Sequence, residues 1–322
     1  MRIPHLPLVD VQRIRDISDT RTALIVSAPL AWQAVVAELP GISHAHIVWC
    51  SDATTTAWDH TIATLPHHEF AVIYAVGGGL AVDMAKYIAC HFTIPLICIP
   101  TALSVDAFLT PASGIRRNGC VYYIPTKAPD TLILDLTVIS QAPAPIRAAG
   151  ITDVLSIATG AWDWQFAHEH GQNPTHMPFV PWAYDMAQHI LRTSMACASA
   201  AGRGDHVALK ELFDMLALEV QLCHQLGHSR PEEGSEHYFA YAVESIVGHG
   251  MAHGELVGPG ILHMAARQGL AVAPLHDALV ACHIPLQRLS QTAINQTMAL
   301  LPNYCVTHNL PFGIAHLPVE TH

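Results

Sequence analysis

The sequence predicts an α/β unit followed by an all-helical unit, and three observations carry that expectation. Short apolar runs alternate with helical patterns through the first half of the chain. A proline-rich stretch from Ala142 to Ile146 punctuates it. Beyond that stretch the pattern turns to long helical periodicities with little that reads as strand. The boundary is placed there, giving domains 1–145 and 146–322. A chain of 322 residues, 51% of them hydrophobic, is long enough for two such cores.

The strands are expected at Thr22 to Ser27, His46 to Cys50, Phe70 to Val76, Pro95 to Ile99 and Thr131 to Asp135. Each is a short apolar run, which is the mark of a strand buried on both faces. Helical patterns lie between them, for example Pro29 to Leu39 and Leu80 to His91. Apolar strands separated by helices imply a parallel sheet with both faces covered. Val121 to Ile124 reads as one arm of a hairpin beyond the turn pair Asn118-Gly119. In the second half, helices are expected over Ile151 to Ala167, Pro181 to Ala200, Val207 to Leu226 and Glu236 to Gly248.

Composition narrows the function. Charged residues make up 13% of the chain and the net charge is −11, with no run rich in Lys or Arg, so nucleic acid is not an expected partner. No segment reaches the roughly 18 apolar residues of a membrane span. The start, Met1 to Asp10, holds Pro4 and Pro7 and lacks a basic region followed by an apolar run, so a cytoplasmic location is expected. Eight cysteines are scattered without a Cys-x-x-Cys pair and are expected to be reduced. With 23 histidines in the chain, one histidine alone carries little meaning.

Two constellations stand out. Gly77-Gly78-Gly79 follows a buried strand and opens a helix bearing Asp83 and Lys86. Glycines at such a junction let backbone approach a pyrophosphate, and the helix N-terminus offers free N–H groups to the anion. A tight turn without a ligand fits the glycines equally, and an exposed i, i+3 ion pair fits Asp83 and Lys86. The second constellation gathers Asp153, His237 and His253, each near an expected helix start. Any one of them reads first as a cap or an ordinary helix residue. Together they offer one carboxylate and two imidazoles, a set that suits catalytic zinc and equally Fe(II).

Ordered pieces of sequence surround these residues: VGGGLAVDMAKYIA at 76–89, PTALSVDAFLTPAS at 100–113, APDTLILDLTVISQAP at 128–143, AGITDVLSIATGAWDW at 149–164, GSEHYFAYAVE at 234–244 and HGELVGPG at 253–260. Their order resembles the iron-containing alcohol dehydrogenase, glycerol dehydrogenase and dehydroquinate synthase superfamily. Within it the likeness is to the sn-glycerol-1-phosphate dehydrogenases. The resemblance implies a dehydroquinate synthase-like fold, with a dinucleotide-binding α/β domain and a helical metal- and substrate-binding domain. It implies NAD or NADP as cofactor, contacted by Gly77, Gly78, Gly79, Asp83, Thr101, Ser104 and Thr110. It implies one divalent metal on Asp153, His237 and His253, with zinc first and iron or nickel as alternatives. Asp106 and Asp153 would be the catalytic carboxylates, and Asp106 and Tyr241 would face the substrate.

The implied activity is oxidoreduction between dihydroxyacetone phosphate and sn-glycerol 1-phosphate, with phospholipid biosynthesis as its setting and a homo-oligomer as its assembly. Two departures fall at the substrate. Tyr241 stands where the glycerol-phosphate enzymes usually carry a histidine, and Val105-Asp106-Ala107 stands where they often show His-Asp-Gly. They keep two alternatives open. One is a reductase of another small hydroxyketone or aldehyde, and the other is a lyase or cyclase like dehydroquinate synthase. Only 15 Lys and Arg residues argue against the latter. A non-enzymatic binding protein is disfavoured by the retained acid and histidines. His249 is a candidate proton relay.

Overall fold

A computed structural model describes residues 5–39, 41–50, 52–66, 69–248 and 250–318. His249, the candidate relay, lies outside the described residues. The chain forms two compact units. One runs to Arg117 and includes Val121–Pro143, and the other takes in Asn118–Cys120 and the chain from Ala144 onward.

In the first unit the elements run β1 (Leu8–Asp10), β2 (Asp19–Ser27), α1 (Pro29–Val35), β3 (Ile42–Trp49), α2 (Thr55–Thr64), β4 (Val72–Gly77), α3 (Gly79–Phe92), β5 (Leu96–Pro100), β6 (Ala112–Arg117), β7 (Cys120–Pro125), β8 (Thr131–Ile133) and α4 (Leu136–Gln141). Six strands form one sheet in the order β1-β8-β5-β4-β2-β3, and every pairing in it is parallel. β4 and β5 are buried along their whole length, as expected of strands covered on both faces. One layer of the core packs Ile25, Val72, Tyr74, Val76, Ile97 and Ile99 against Ile14, Val35 and Leu39.

The register brings functional loops together. Ser27 is paired with Val76, and Gly77 with Pro100, so β2, β4 and β5 end side by side. The carboxyl edge of a parallel sheet is where open α/β folds bind ligands. Two strands were not delimited from the sequence, although the hairpin reading implied an arm ahead of Asn118-Gly119. β1 is a three-residue edge strand with Leu8 exposed, too short and too open to show an apolar run. β6, in the hairpin order β6-β7, has Ile115 as its one β-branched residue and carries Ser113 and Gly114 beside it, so it shows no apolar run. Its turn residues Asn118 and Gly119 both have positive φ (53° and 72°), the geometry of a two-residue hairpin turn.

The second unit holds α5 (Ala144–Arg147), α6 (Ile151–Glu169), α7 (Pro181–Gly202), α8 (His206–Leu226), α9 (Ser235–Val247), α10 (His253–Arg267), α11 (Val272–Ala281) and α12 (Gln291–Thr307). α6 is buried on nearly all sides, which marks it as the central helix. Asp163 on α6 is a buried anchor. It accepts hydrogen bonds from the Ser235 and Ile314 N–H groups (both 2.8 Å), from Ser235 Oγ (2.5 Å) and from Gln268 Nε2 (3.1 Å). It thus ties α9, α10 and the C-terminal segment to α6. Burial, then the neighbouring Glu236 charge, raises its pKa.

His228, between α8 and α9, is buried with its ring edge against Trp164 (5.4 Å between centroids). Its Nδ1 accepts from the Arg230 N–H at 3.3 Å, so the ring is neutral. Burial, helped by the charges of Arg230 and His176, pushes it down to about 4. The unfolded chain, with an ordinary imidazole near 6.5, therefore binds the extra proton between those values. Stability from His228 is present above pH 6.5 and falls as pH drops toward 4. Urea denaturation at pH 7.5 and 4.5 should show wild type losing about 2.5 kcal/mol more than His228→Asn over that interval.

Candidate metal centre

Three helices supply the Asp/His/His set. Asp153 is the third residue of α6, His237 the third of α9, and His253 the first of α10. Asp153 does not cap α6, because Gly150 holds that position. One ligand atom from each of Asp153, His237 and His253 lies within 4.8 Å of the other two. His253 Nε2 is 2.9 Å from Asp153 Oδ1, and the two imidazole rings are 5.4 Å apart. Donor atoms of a tetrahedral zinc, with bonds of about 2.1 Å, sit about 3.4 Å from one another. The spacing brackets that value, so the donor set fits a divalent cation.

α9 and α10 come close enough for this because of a glycine. A Cβ on Gly260 would stand 2.5 Å from the Glu236 carbonyl oxygen, so only glycine lets α10 lie against the start of α9 there.

The supporting shell was not foreseen from the sequence, and Glu236 is its centre. This carboxylate is fully buried beside His237. Oε1 accepts from the Gly234 N–H (2.6 Å) and pairs with His237 Nδ1 (2.9 Å), and Oε2 accepts from Thr159 Oγ1 (2.6 Å). With Nδ1 occupied, Nε2 is the His237 nitrogen left for a metal. A carboxylate behind a ligating histidine fixes its tautomer and orientation. Burial opposes the charge on His237, but the Glu236 hydrogen bond and the charges of Glu236, Glu233 and Asp153 outweigh it and push the group up to about 9. The site is a buried cluster of anions that favours a cation. Its sequence signal was the acid immediately before His237 in Gly-Ser-Glu-His.

Tyr241 follows His237 by one turn, with ring centroids 6.2 Å apart. Its hydroxyl donates to Glu233 Oε1 at 2.7 Å, and Ser229 Oγ donates to Glu233 Oε2 at 2.6 Å. A buried phenol oriented by a carboxylate therefore stands beside the candidate ligand His237, and Glu233 is a second residue the sequence reading missed.

The glycine loop lies in the other unit, at the carboxyl edge of the sheet. Gly77 has φ 143°, a conformation closed to other residues, and Gly78 caps α3 without a side-chain partner for the first turn. A Cβ on Gly78 would meet Ser104 Oγ at 3.1 Å, and one on Gly79 would meet Val105 at 2.9 Å. The 101–112 loop therefore packs directly on the glycines, and the Thr101 N–H reaches the Gly77 carbonyl at 3.4 Å. Asp106 lies in this same loop, where its carbonyl accepts from the Leu109 N–H at 2.7 Å.

Asp83 and Lys86 correct the surface-pair alternative, because Lys86 is fully buried and the Asp83 side chain is only 15% exposed. Lys86 Nζ is 2.9 Å from Asp83 Oδ1 and donates to the carbonyls of Ala107 (2.9 Å) and Ala112, and to Thr110 Oγ1 (3.3 Å). The ammonium thus gathers the loop around itself. Asp83 Oδ2 accepts from the Gly114 N–H (3.2 Å), and burial raises its pKa against the pull of Lys86. The contacts of Asp83 and Thr110 are with the protein frame that shapes this loop.

Residues 15–143 match the family model of the iron-containing alcohol dehydrogenases. Over that stretch the chain is similar to the iron-containing alcohol dehydrogenases. Glycerol-1-phosphate dehydrogenase of Aeropyrum pernix is 29% identical over 223 residues, 68% of this chain and 61% of that protein. The protein of the same name from Methanosphaera stadtmanae is 31% identical over 200 residues, 62% of this chain and 56% of it. The match thus spans less than two thirds of either relative. Among solved structures, a probable glycerol dehydrogenase from Sinorhizobium meliloti superposes with TM-score 0.71 at 18% identity, covering 100% of this chain and 94% of that one. Glycerol dehydrogenase from Schizosaccharomyces pombe gives 0.68 at 20% identity, covering 100% and 87%. The fold is therefore that of the iron-containing alcohol dehydrogenase group, an α/β unit followed by a helical unit. Among the described residues no helix is long and apolar enough to cross a membrane.

If Glu236 orients His237, Glu236→Gln should weaken zinc binding about 10- to 100-fold while leaving the fold intact. Chelator competition followed by a zinc indicator measures the first, and circular dichroism the second.

Proposed function

We propose that this chain is a metal-dependent, NAD(P)-linked oxidoreductase that interconverts dihydroxyacetone phosphate and sn-glycerol 1-phosphate. The convergence of Asp153, His237 and His253 within 4.8 Å carries the reading. The names of the relatives at 29–31% identity support the substrate.

A divalent cation on Asp153, His237 and His253 would act as a Lewis acid on the carbonyl or hydroxyl oxygen of the substrate. The nicotinamide ring of the dinucleotide would supply or accept the hydride. Gly77, Gly78 and Gly79 at the α3 N-terminus would hold the pyrophosphate, where open N–H groups and the helix dipole favour an anion. Thr101, Ser104 and Thr110 line the adjoining loop and are proposed cofactor contacts, with Asp83 and Lys86 fixing that loop beneath them. Asp106 is proposed to hold substrate hydroxyls. Asp52, exposed just beyond β3, supports NAD over NADP, since a carboxylate there would repel a ribose phosphate. Zinc is the proposed metal, with iron or nickel as substitutes. The eight unbridged thiols support a cytoplasmic enzyme, and a homo-oligomer is the proposed assembly.

A second reading has an observation of its own. The Tyr241–Glu233 pair sets a neutral phenol and an anion beside His237, where a cationic group would favour a phosphate. That arrangement favours a substrate whose hydroxyl, not phosphate, meets Tyr241. An unphosphorylated hydroxyketone or aldehyde fits it.

NADH and NADPH oxidation by the zinc-loaded protein, with dihydroxyacetone phosphate, dihydroxyacetone and glyceraldehyde in turn, separates the readings. Turnover should be highest with dihydroxyacetone phosphate and should vanish on chelation. Asp153→Asn, His237→Ala and His253→Ala should each lower kcat/KM by roughly 1,000-fold or more, equivalent to about 4 kcal/mol of lost transition-state stabilisation. Activity that persists after complete metal removal would overturn the proposal. Preference for dihydroxyacetone would select the second reading.

A further inference from the structure

A second acid-rich cluster lies on α8, apart from the Asp/His/His set. Glu219 and Cys223 are one helical turn apart on α8, so their side chains share a face. Glu232 comes from the turn that leads into α9. One carboxylate oxygen from each glutamate and the Cys223 sulfur lie within 4.8 Å of one another. Glu219 is the informative member. It is 1% exposed, and neither carboxylate oxygen has a hydrogen-bond partner among the described residues. An unpartnered buried carboxylate is expensive, and protonation would only exchange an orphan acceptor for an orphan donor. A cation between the three groups removes that penalty.

We propose that Glu219, Cys223 and Glu232 form a second divalent-metal site whose role is structural. One thiolate with two carboxylates suits Zn²⁺ or Co²⁺, since sulfur disfavours Mg²⁺ and Ca²⁺. Binding takes Cys223 as its thiolate, and the thiol proton is released to solvent.

The location gives the site a task. Glu232 belongs to the turn whose next residue, Glu233, orients the Tyr241 hydroxyl, and its carbonyl accepts from Ser156 Oγ on α6 at 2.6 Å. A metal bridging Glu232 to Glu219 and Cys223 would fasten that turn to α8 as well as to α6. The Asp153, His237 and His253 set contains no sulfur, so the two sites differ in spectroscopic signature.

Cobalt titration of the metal-free 322-residue chain tests the assignment. Co²⁺ bound at the second site should produce a thiolate-to-cobalt charge-transfer band in the near ultraviolet, saturating at one equivalent of that band per chain. The band should be lost in Cys223→Ser and lost or strongly weakened in Glu219→Gln, each with an unchanged circular dichroism spectrum. It should persist in the His237→Ala/His253→Ala double variant, which lacks the first site. That last arm keeps this inference separate from the proposed catalytic metal: the band can appear whether or not the first site binds. Absence of the band in wild type, or its survival in Cys223→Ser, would overturn the proposal.

Discussion

The helical unit depends on one buried carboxylate. Glu236 holds His237 through Nδ1, closes the first turn of α9 through the Gly234 N–H, and reaches α6 through Thr159. Remove it, and His237 loses the partner that decides which nitrogen is free, while two donors on neighbouring segments lose their acceptor. Asp163 repeats the device one turn beyond Thr159 on α6, gathering the Ser235 and Ile314 N–H groups. Buried acids are tolerated here because each has several donors, and breaking such a set costs far more than the set contributes net. The consequence for chemistry is geometric. α9 and α10 are tied to α6, so Asp153, His237 and His253 are held at a spacing that suits a divalent cation.

The α/β unit solves the same problem with the opposite charge. Lys86, fully buried, draws the carbonyls of Ala107 and Ala112 and the Thr110 hydroxyl onto one ammonium, with Asp83 as its counter-ion. The loop carrying Thr101, Ser104 and Asp106 is thereby fastened next to the Gly77–Gly79 turn. A ligand site at the carboxyl edge of a parallel sheet needs a loop of fixed shape, and a buried lysine with carbonyl partners provides it where a hydrophobic contact could not fix the direction of the backbone.

Much of this was legible in the sequence because burial leaves a mark on composition. The central strands β4 and β5 showed as apolar runs since both faces are covered, and α6, α7, α8 and α9 showed as long periodicities. The edge strand β1 and the hairpin strand β6 did not, because partial exposure and small residues erase the pattern. At the site, Asp153, His237 and His253 are separated by up to a hundred residues, and ordered motifs rather than spacing linked them. Glu236 and Glu233 were hidden for a different reason. Neither acid has a sequence signature of its surroundings, and only the fold reveals that Glu236 is fully buried and that Glu233 meets the Tyr241 hydroxyl. Lys86 misled in the same way: an i, i+3 pair with Asp83 looks like a solvated helix face until the loop above it is seen.

A zinc-edge anomalous difference map from crystals of the metal-loaded protein addresses the whole account in one measurement. A peak is predicted at about 2.0–2.2 Å from a carboxylate oxygen of Asp153 and from one ring nitrogen each of His237 and His253, with His237 Nδ1 still paired to Glu236. A map with no peak among those three side chains, at full metal loading, would contradict it.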